Sequence, residues 1–244
     1  MRWEVFTGIF LVALTGVLTA VHNAVFKDPK TLYFYLMEDI VFLPVQVLLV
    51  SLVIEGFLSL REKRAMLEKL NMVIEVFFSE VGNTLLKHLL EFDSHKSELC
   101  CDFKNISEWT PRDFDHSQRK IKTFEFQIGC PARDLDYLRD FLMGKRNFML
   151  RLLENPNLLE HETFTKLLWA VFHLMEELAH RKNCRDLSEA DRKHFMVDIQ
   201  RAYALLLYEW VGYMKHLKND YPYLFSLAAR VSPFNPEGRA EFCD

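Results

Sequence analysis

Six side chains in the C-terminal half carry the sharpest chemical signal: His173, Glu177 and His180, followed by Asp191, His194 and Asp198. Spacings of three, four and seven put each trio on one face of its own helix. An antiparallel hairpin centred near Arg185 then sets 173 against 198, 177 against 194 and 180 against 191, so every cross-pair joins a histidine to a carboxylate. Helical bundles build iron, manganese or zinc sites from such residues, with Glu-x-x-His on facing helices as the carboxylate-bridged form. Glu177-Leu-Ala-His180 fits that fragment, and Asp191-Arg-Lys-His194 is its aspartate analogue.

The helical wheel opposes this reading. At about 100° per residue, the His173 face lies opposite the apolar stripe of its own helix, and the second trio flanks the core. The six residues therefore also read as a solvated face or as an ion-pair seam. The default expectation is no cofactor, with iron, manganese or zinc as the alternative. A zinc knot from Cys100, Cys101 and Cys130 with His95 or His116 lacks Cys-x-x-Cys spacing. Phosphate-binding, dinucleotide, nucleophile-elbow and H-E-x-x-H signatures are all missing from the sequence, so no catalytic residue is assigned.

The elements that must position the six residues are two long amphipathic helices. The first runs from about Leu158 to Arg181, with Phe164, Leu167, Leu168, Val171, Met175 and Leu178 as its stripe. The second opens at the capping-box-like Ser188-Glu189-Ala190-Asp191 and buries Phe195, Ile199, Ala202, Leu206, Trp210 and Leu217. Thr110-Pro111-Arg112-Asp113 starts a helix reaching about Phe126, and Pro131 opens another that ends near Asn155-Pro156. Residues 91 to 110 are polar and read as a loop. A short aromatic segment follows Tyr221-Pro222, and a Pro-containing tail closes the chain.

The first sixty residues are different. From Val5 to Phe26 no residue is charged, and such a run can cross roughly 30 Å of hydrocarbon. Ile40 to Leu60 is interrupted only by Glu55, has Pro44 near its start, and is preceded by Tyr33, Phe34 and Tyr35, which suit an interface. The basic cluster Arg61-Glu62-Lys63-Arg64 follows, whereas the connection from Lys27 to Asp39 carries two lysines against three acids. The positive-inside rule places both termini in the cytoplasm, which implies the cell inner (cytoplasmic) membrane. Gly16, Ala20 and Ala24 recur every four residues and suit close helix packing or self-association. Glu55 is an intramembrane acid or, so close to Arg61, an interfacial one. The second run continues without a breaker through Leu67, Leu70, Ile74 and Phe77 to Gly82, which predicts one long helix with a bend there.

The chain has 244 residues and a formal charge of −4. Setting aside three basic and five acidic residues up to Glu55 leaves 27 basic against 29 acidic, which excludes a nucleic-acid footprint. Five cysteines, odd in number and irregularly spaced, suit reduced thiols. The expected fold is all-α: a transmembrane hairpin over 1–60, a cytoplasmic multi-helix bundle over 61–232 and a tail over 233–244. FLPVQVLLVSLVIEGFLSLREKR, FFSEVGNTLL, ENPNLLEHETFTKLLWAVFHLMEEL and YPYLFSLAARVSPF together resemble uncharacterised prokaryotic membrane proteins with two N-terminal spans and a cytoplasmic helical domain. That resemblance implies the same architecture and brings no activity or site residue.

Function is accordingly expected to lie in protein contacts: a membrane-anchored scaffold, adaptor or sensor that self-associates or meets another membrane or cytosolic protein. A metal-binding bundle enzyme is the alternative. An oligomeric channel is a third reading, weakened by a connection too short for a pore helix and filter.

Overall fold

Long apolar and amphipathic runs with few glycines favour helix, and the computed structural model is all-α. It describes residues 2–26, 29–129, 132–156, 158, 161–181 and 187–235. The helices are α1 (Arg2–Phe26), α2 (Pro29–Phe77), α3 (Asn83–Leu90), α4 (Lys96–Lys104), α5 (Pro111–Thr123), α6 (Ala132–Leu153), α7 (Glu162–Ala179), α8 (Glu189–Asp220) and α9 (Pro222–Arg230). Among the described residues there is no strand beyond one isolated antiparallel bridge, Asp93 to Ile128.

The chain divides into two units, Met1–Lys63 and Arg64–Asp244, and the division falls within α2. In the first unit, α2 begins at Pro29, so the expected connection up to Asp39 is mostly helical. Proline has no N–H to leave unbonded at a helix start and its φ is already helical. Pro44 correspondingly lies inside the helix rather than near its beginning. One helix among the described residues, counted from Tyr33, is long and apolar enough to cross a membrane. A shorter apolar stretch, Val12–Val25, lies in α1.

The second unit is organised around α8, which packs against α3, α5, α7 and α9. It can serve as an axis because its buried residues, among them Phe195, Tyr203, Leu207, Val211 and Leu217, spread over more than half of its circumference. Its start is fixed by the Ser188 hydroxyl, which accepts from the Asp191 N–H at 3.1 Å. The start of α5 is a full capping box, in which the Asp113 carboxylate accepts from the Thr110 N–H at 2.7 Å.

Several expectations change. Residues 91 to 110 are not simply a loop: α4 and a 3-10 turn, Ile106–Glu108, bury Leu99, Phe103 and Ile106. These three recur at helical spacing inside a polar stretch whose average composition hid them. Leu67, part of the apolar run that continues the second span, is 51% exposed, whereas Leu70, Ile74 and Phe77 of the same run are buried. At Gly82 the chain makes a π-helical turn, Phe78–Gly82, between α2 and α3. A Cβ on Gly82 would stand 2.4 Å from Phe78 Cδ1, so only glycine lets that ring lie against the backbone. Phe234, beyond the expected boundary at 232, is 1% exposed and stacks on Phe103 with ring centroids 4.6 Å apart.

Candidate functional site

Helices α7 and α8 are antiparallel, as the hairpin pattern requires. Arg181 meets Asp191, His173 meets Asp198 and Thr163 reaches Glu209, pairs all centred within one residue of position 185. Arg185 itself lies outside the described residues. On this seam His173 Nε2 is 3.6 Å from Asp198 Oδ2, and His194 Nε2, one turn before Asp198, is 3.2 Å from the same oxygen. The nearest donor atoms of all three lie within 4.8 Å of one another. The histidines are half exposed, whereas the Asp198 side chain is 4% exposed. Its Oδ2 has no hydrogen-bond partner of acceptable geometry among the described residues. The other oxygen, Oδ1, has Arg201 Nη1 at 3.7 Å. Two imidazoles and a carboxylate of this kind can hold a divalent transition metal.

The remaining three sequence candidates do other things. Arg181 lies between Glu177 and Asp191, at 3.8 and 2.8 Å, and its guanidinium also faces the Phe195 ring. Asp191 is held below the usual carboxylate range by the Ser188 hydroxyl and then by Arg181. His180 closes α7, with Nδ1 2.7 Å from the Glu176 carbonyl. The six-residue set thus resolves into a potential ligand trio, an arginine-centred clamp on Glu177 and Asp191, and His180 at the end of α7. Of the cysteines, Cys100 is half-buried and Cys101 exposed, both free; Cys130, Cys184 and Cys243 lie outside the described residues. Burial pushes the Cys100 thiol pKa up, the opposite of an activated nucleophile.

Two family models match the chain: residues 1–58 fit "MJ1433, N-terminal helical domain", and residues 66–230 fit "Uncharacterized protein MJ1433, C-terminal helical domain". The chain belongs to the MJ1433 family. It is 40% identical over 235 residues to "Uncharacterized protein MJ1433" of Methanocaldococcus jannaschii, covering 96% of this chain and 94% of that protein. No solved structure matches it significantly. The two MJ1433 family domains meet between residues 58 and 66, where the chain's two structural units also divide.

A second polar site in this MJ1433 family chain escaped the sequence reasoning. A cavity of about 230 Å³ within the second unit is lined by residues including Asn71, Gln118, His161, Thr163, Glu209 and His216. Glu209 is 5% exposed, and its Oε1 has no hydrogen-bond partner among the described residues. Burial raises its pKa, against the lowering effects of the Thr163 hydroxyl and the His161 ring. His161 is oriented by its capping role: Nδ1 accepts from the Phe164 N–H at 3.2 Å, which leaves any ring proton on Nε2. His216 is braced by Glu75 at 3.2 Å and Asp220 at 2.7 Å. Tyr213, beside them, is pushed up to about 12 by burial and by the Glu75 charge. The available signal was a single acid within the apolar run Ala202–Met214, which α8 carries into the core.

Proposed function

We propose that this chain is an integral protein of the cytoplasmic membrane, with α1 and the N-terminal part of α2 as two spans and both termini in the cytoplasm. Its cytoplasmic bundle then works through protein contacts, as a scaffold, adaptor or sensor, with the bilayer and a second copy as its first partners. One observation carries the reading: between Ile40 and Leu60 fifteen large apolar side chains are more than half exposed. Leaving them in water rather than in an apolar phase costs on the order of 20 kcal/mol or more. A bilayer removes that cost, and the basic cluster from Arg61 to Arg64 then favours the cytoplasmic side. Gly16, Ala20 and Ala24 support self-association between copies: Gly16 has open space where a Cβ would stand, and Ala20 and Ala24 are exposed.

The native cysteines provide the test, since all five lie at position 100 or later and Cys101 is exposed. The protein is expected to stay in the pellet after alkaline carbonate washing of membranes. A membrane-impermeant maleimide is expected to label it in inverted vesicles and to leave right-side-out vesicles unlabelled. Release by carbonate would overturn the spans; labelling from outside would overturn the orientation.

A further inference from the structure

We infer that His173, His194 and Asp198 form a zinc-class metal site on the α7–α8 seam, with a water or exogenous ligand in the fourth position. An ion bound at about 2.0–2.1 Å by nitrogen and oxygen in tetrahedral geometry holds its ligand atoms about 3.3 Å apart. Both histidine Nε2 atoms already stand near that spacing from Asp198 Oδ2, at 3.6 and 3.2 Å. Only modest closure of the remaining edge within the 4.8 Å cluster is required.

The second observation is the carboxylate itself. Asp198 is almost wholly buried, yet Oδ2 has no hydrogen bond among the described residues, and a buried carboxylate oxygen without a partner is costly. A divalent ion between the three groups would give that oxygen a partner. Arg201 stays near Oδ1, which leaves Oδ2 as the single coordinating oxygen. Two borderline nitrogen ligands and one oxygen suit zinc better than the oxygen-rich shells of magnesium or calcium.

Three protein ligands leave one position open, as in zinc sites that exchange a ligand rather than sites closed for structure. His173 and Arg201 also line a groove whose apolar wall includes Trp169, Ala204 and Leu205, so the open position has a neighbouring surface on which a ligand can rest. Because two helices supply the ligands, occupancy also ties α7 to α8.

The test uses full-length protein in detergent, stripped with chelator, titrated with Zn²⁺ by calorimetry and with Co²⁺ by visible absorption. The expected result is one equivalent of Zn²⁺ per chain and the intense visible band of four-coordinate Co²⁺. His173→Ala and His194→Ala are each expected to weaken Zn²⁺ binding by at least about 100-fold, while His180→Ala, outside the trio, leaves it unchanged. Both altered histidines are half exposed, and circular dichroism checks that the variants fold. No saturable Zn²⁺ binding, affinity indifferent to His173→Ala, or the weak band of six-coordinate Co²⁺ would each overturn the site. None of these readouts depends on the chain spanning a bilayer.

Discussion

Replacing Gly82 with alanine isolates the packing that shapes the π-helical turn. The added Cβ would lie 2.4 and 2.9 Å from Phe78 Cδ1 and Cε1, and 3.0 Å from Phe77 Cε1. Neither ring is free to retreat. Phe78 stacks on Tyr213 at 4.8 Å, and Phe77 stands edge-on to both Phe78 and Phe164 at 5.2 Å. Overpacking a closed core costs about 1–3 kcal/mol. Gly82 has helical dihedrals, φ −60° and ψ −44°, so alanine can adopt them and regains up to about 1 kcal/mol of helix propensity. The balance is a loss of about 1–2 kcal/mol, or a Tm lower by about 2–8 °C in a unit of this size. Gly144→Ala is the control: nothing lies within 4 Å of its Cβ in α6, so only the propensity gain remains. Thermal unfolding of both variants, followed by circular dichroism in detergent, decides the matter. If Gly82→Ala matched Gly144→Ala in stabilising the fold, the rings would not determine the turn and this account would fail.

Two further outcomes follow from buried groups. Phe234→Ala removes a ring held against Phe103 and Trp210, at centroid distances of 4.6 and 5.0 Å, and should cost about 3–5 kcal/mol by the same melts. An unchanged Tm would mean that the segment after 232 is dispensable. Glu209 has a raised pKa in the folded chain, so the folded state retains its proton to higher pH than the unfolded state does. Its stability contribution is therefore full below the ordinary carboxylate value of 4.5 and is lost as pH rises through the folded pKa. Glu209→Gln should flatten the decline of Tm with pH above that value and raise Tm at the alkaline end. Asp93, raised chiefly by burial, leaves a residual slope of the same sign. A Glu209→Gln profile parallel to that of the unaltered chain would show that this carboxylate carries no such linkage.

Local capping and long apolar periods were the legible part of the fold. Ser188 and Thr110 bond the backbone as their motifs require, and the expected stripes of α7 and α8 are buried. Both signals act over one or two turns, which is the range that a sequence pattern reports. What was hidden depends on tertiary partners. Helix α4 has a polar composition and is fixed by only a few buried side chains, Leu99 and Phe103 among them. The π-turn exists because two phenylalanine rings need the space beside Gly82, and Phe234 joins the core because Phe103 and Trp210 present ring faces to it. The contacts of Gly82 and Phe234 leave no period in the sequence, and the short period of α4 is masked by its polar surroundings.

The site shows the same limit from the other direction. Cross-pairing two helical faces treats every facing pair alike, and the register it assumes is the one observed. Yet Arg181 is long enough to reach both Glu177 and Asp191, so near the turn its guanidinium occupies the position that a metal would need. Toward the middle of the seam Arg201 stands 3.7 Å from Asp198 Oδ1, on the side of the carboxylate away from Oδ2, which faces His173 and His194 at 3.6 and 3.2 Å. Asp198 follows the buried Phe195 on one side and precedes Ile199 on the other, so α8 draws its carboxylate inward while His173 and His194 stay half exposed above it. The wheel correctly placed the histidines outside the apolar stripe. It could not show that a buried acid would stand beneath them, and a divalent ion needs that combination: exposed imidazoles for access and one poorly solvated charge to compensate.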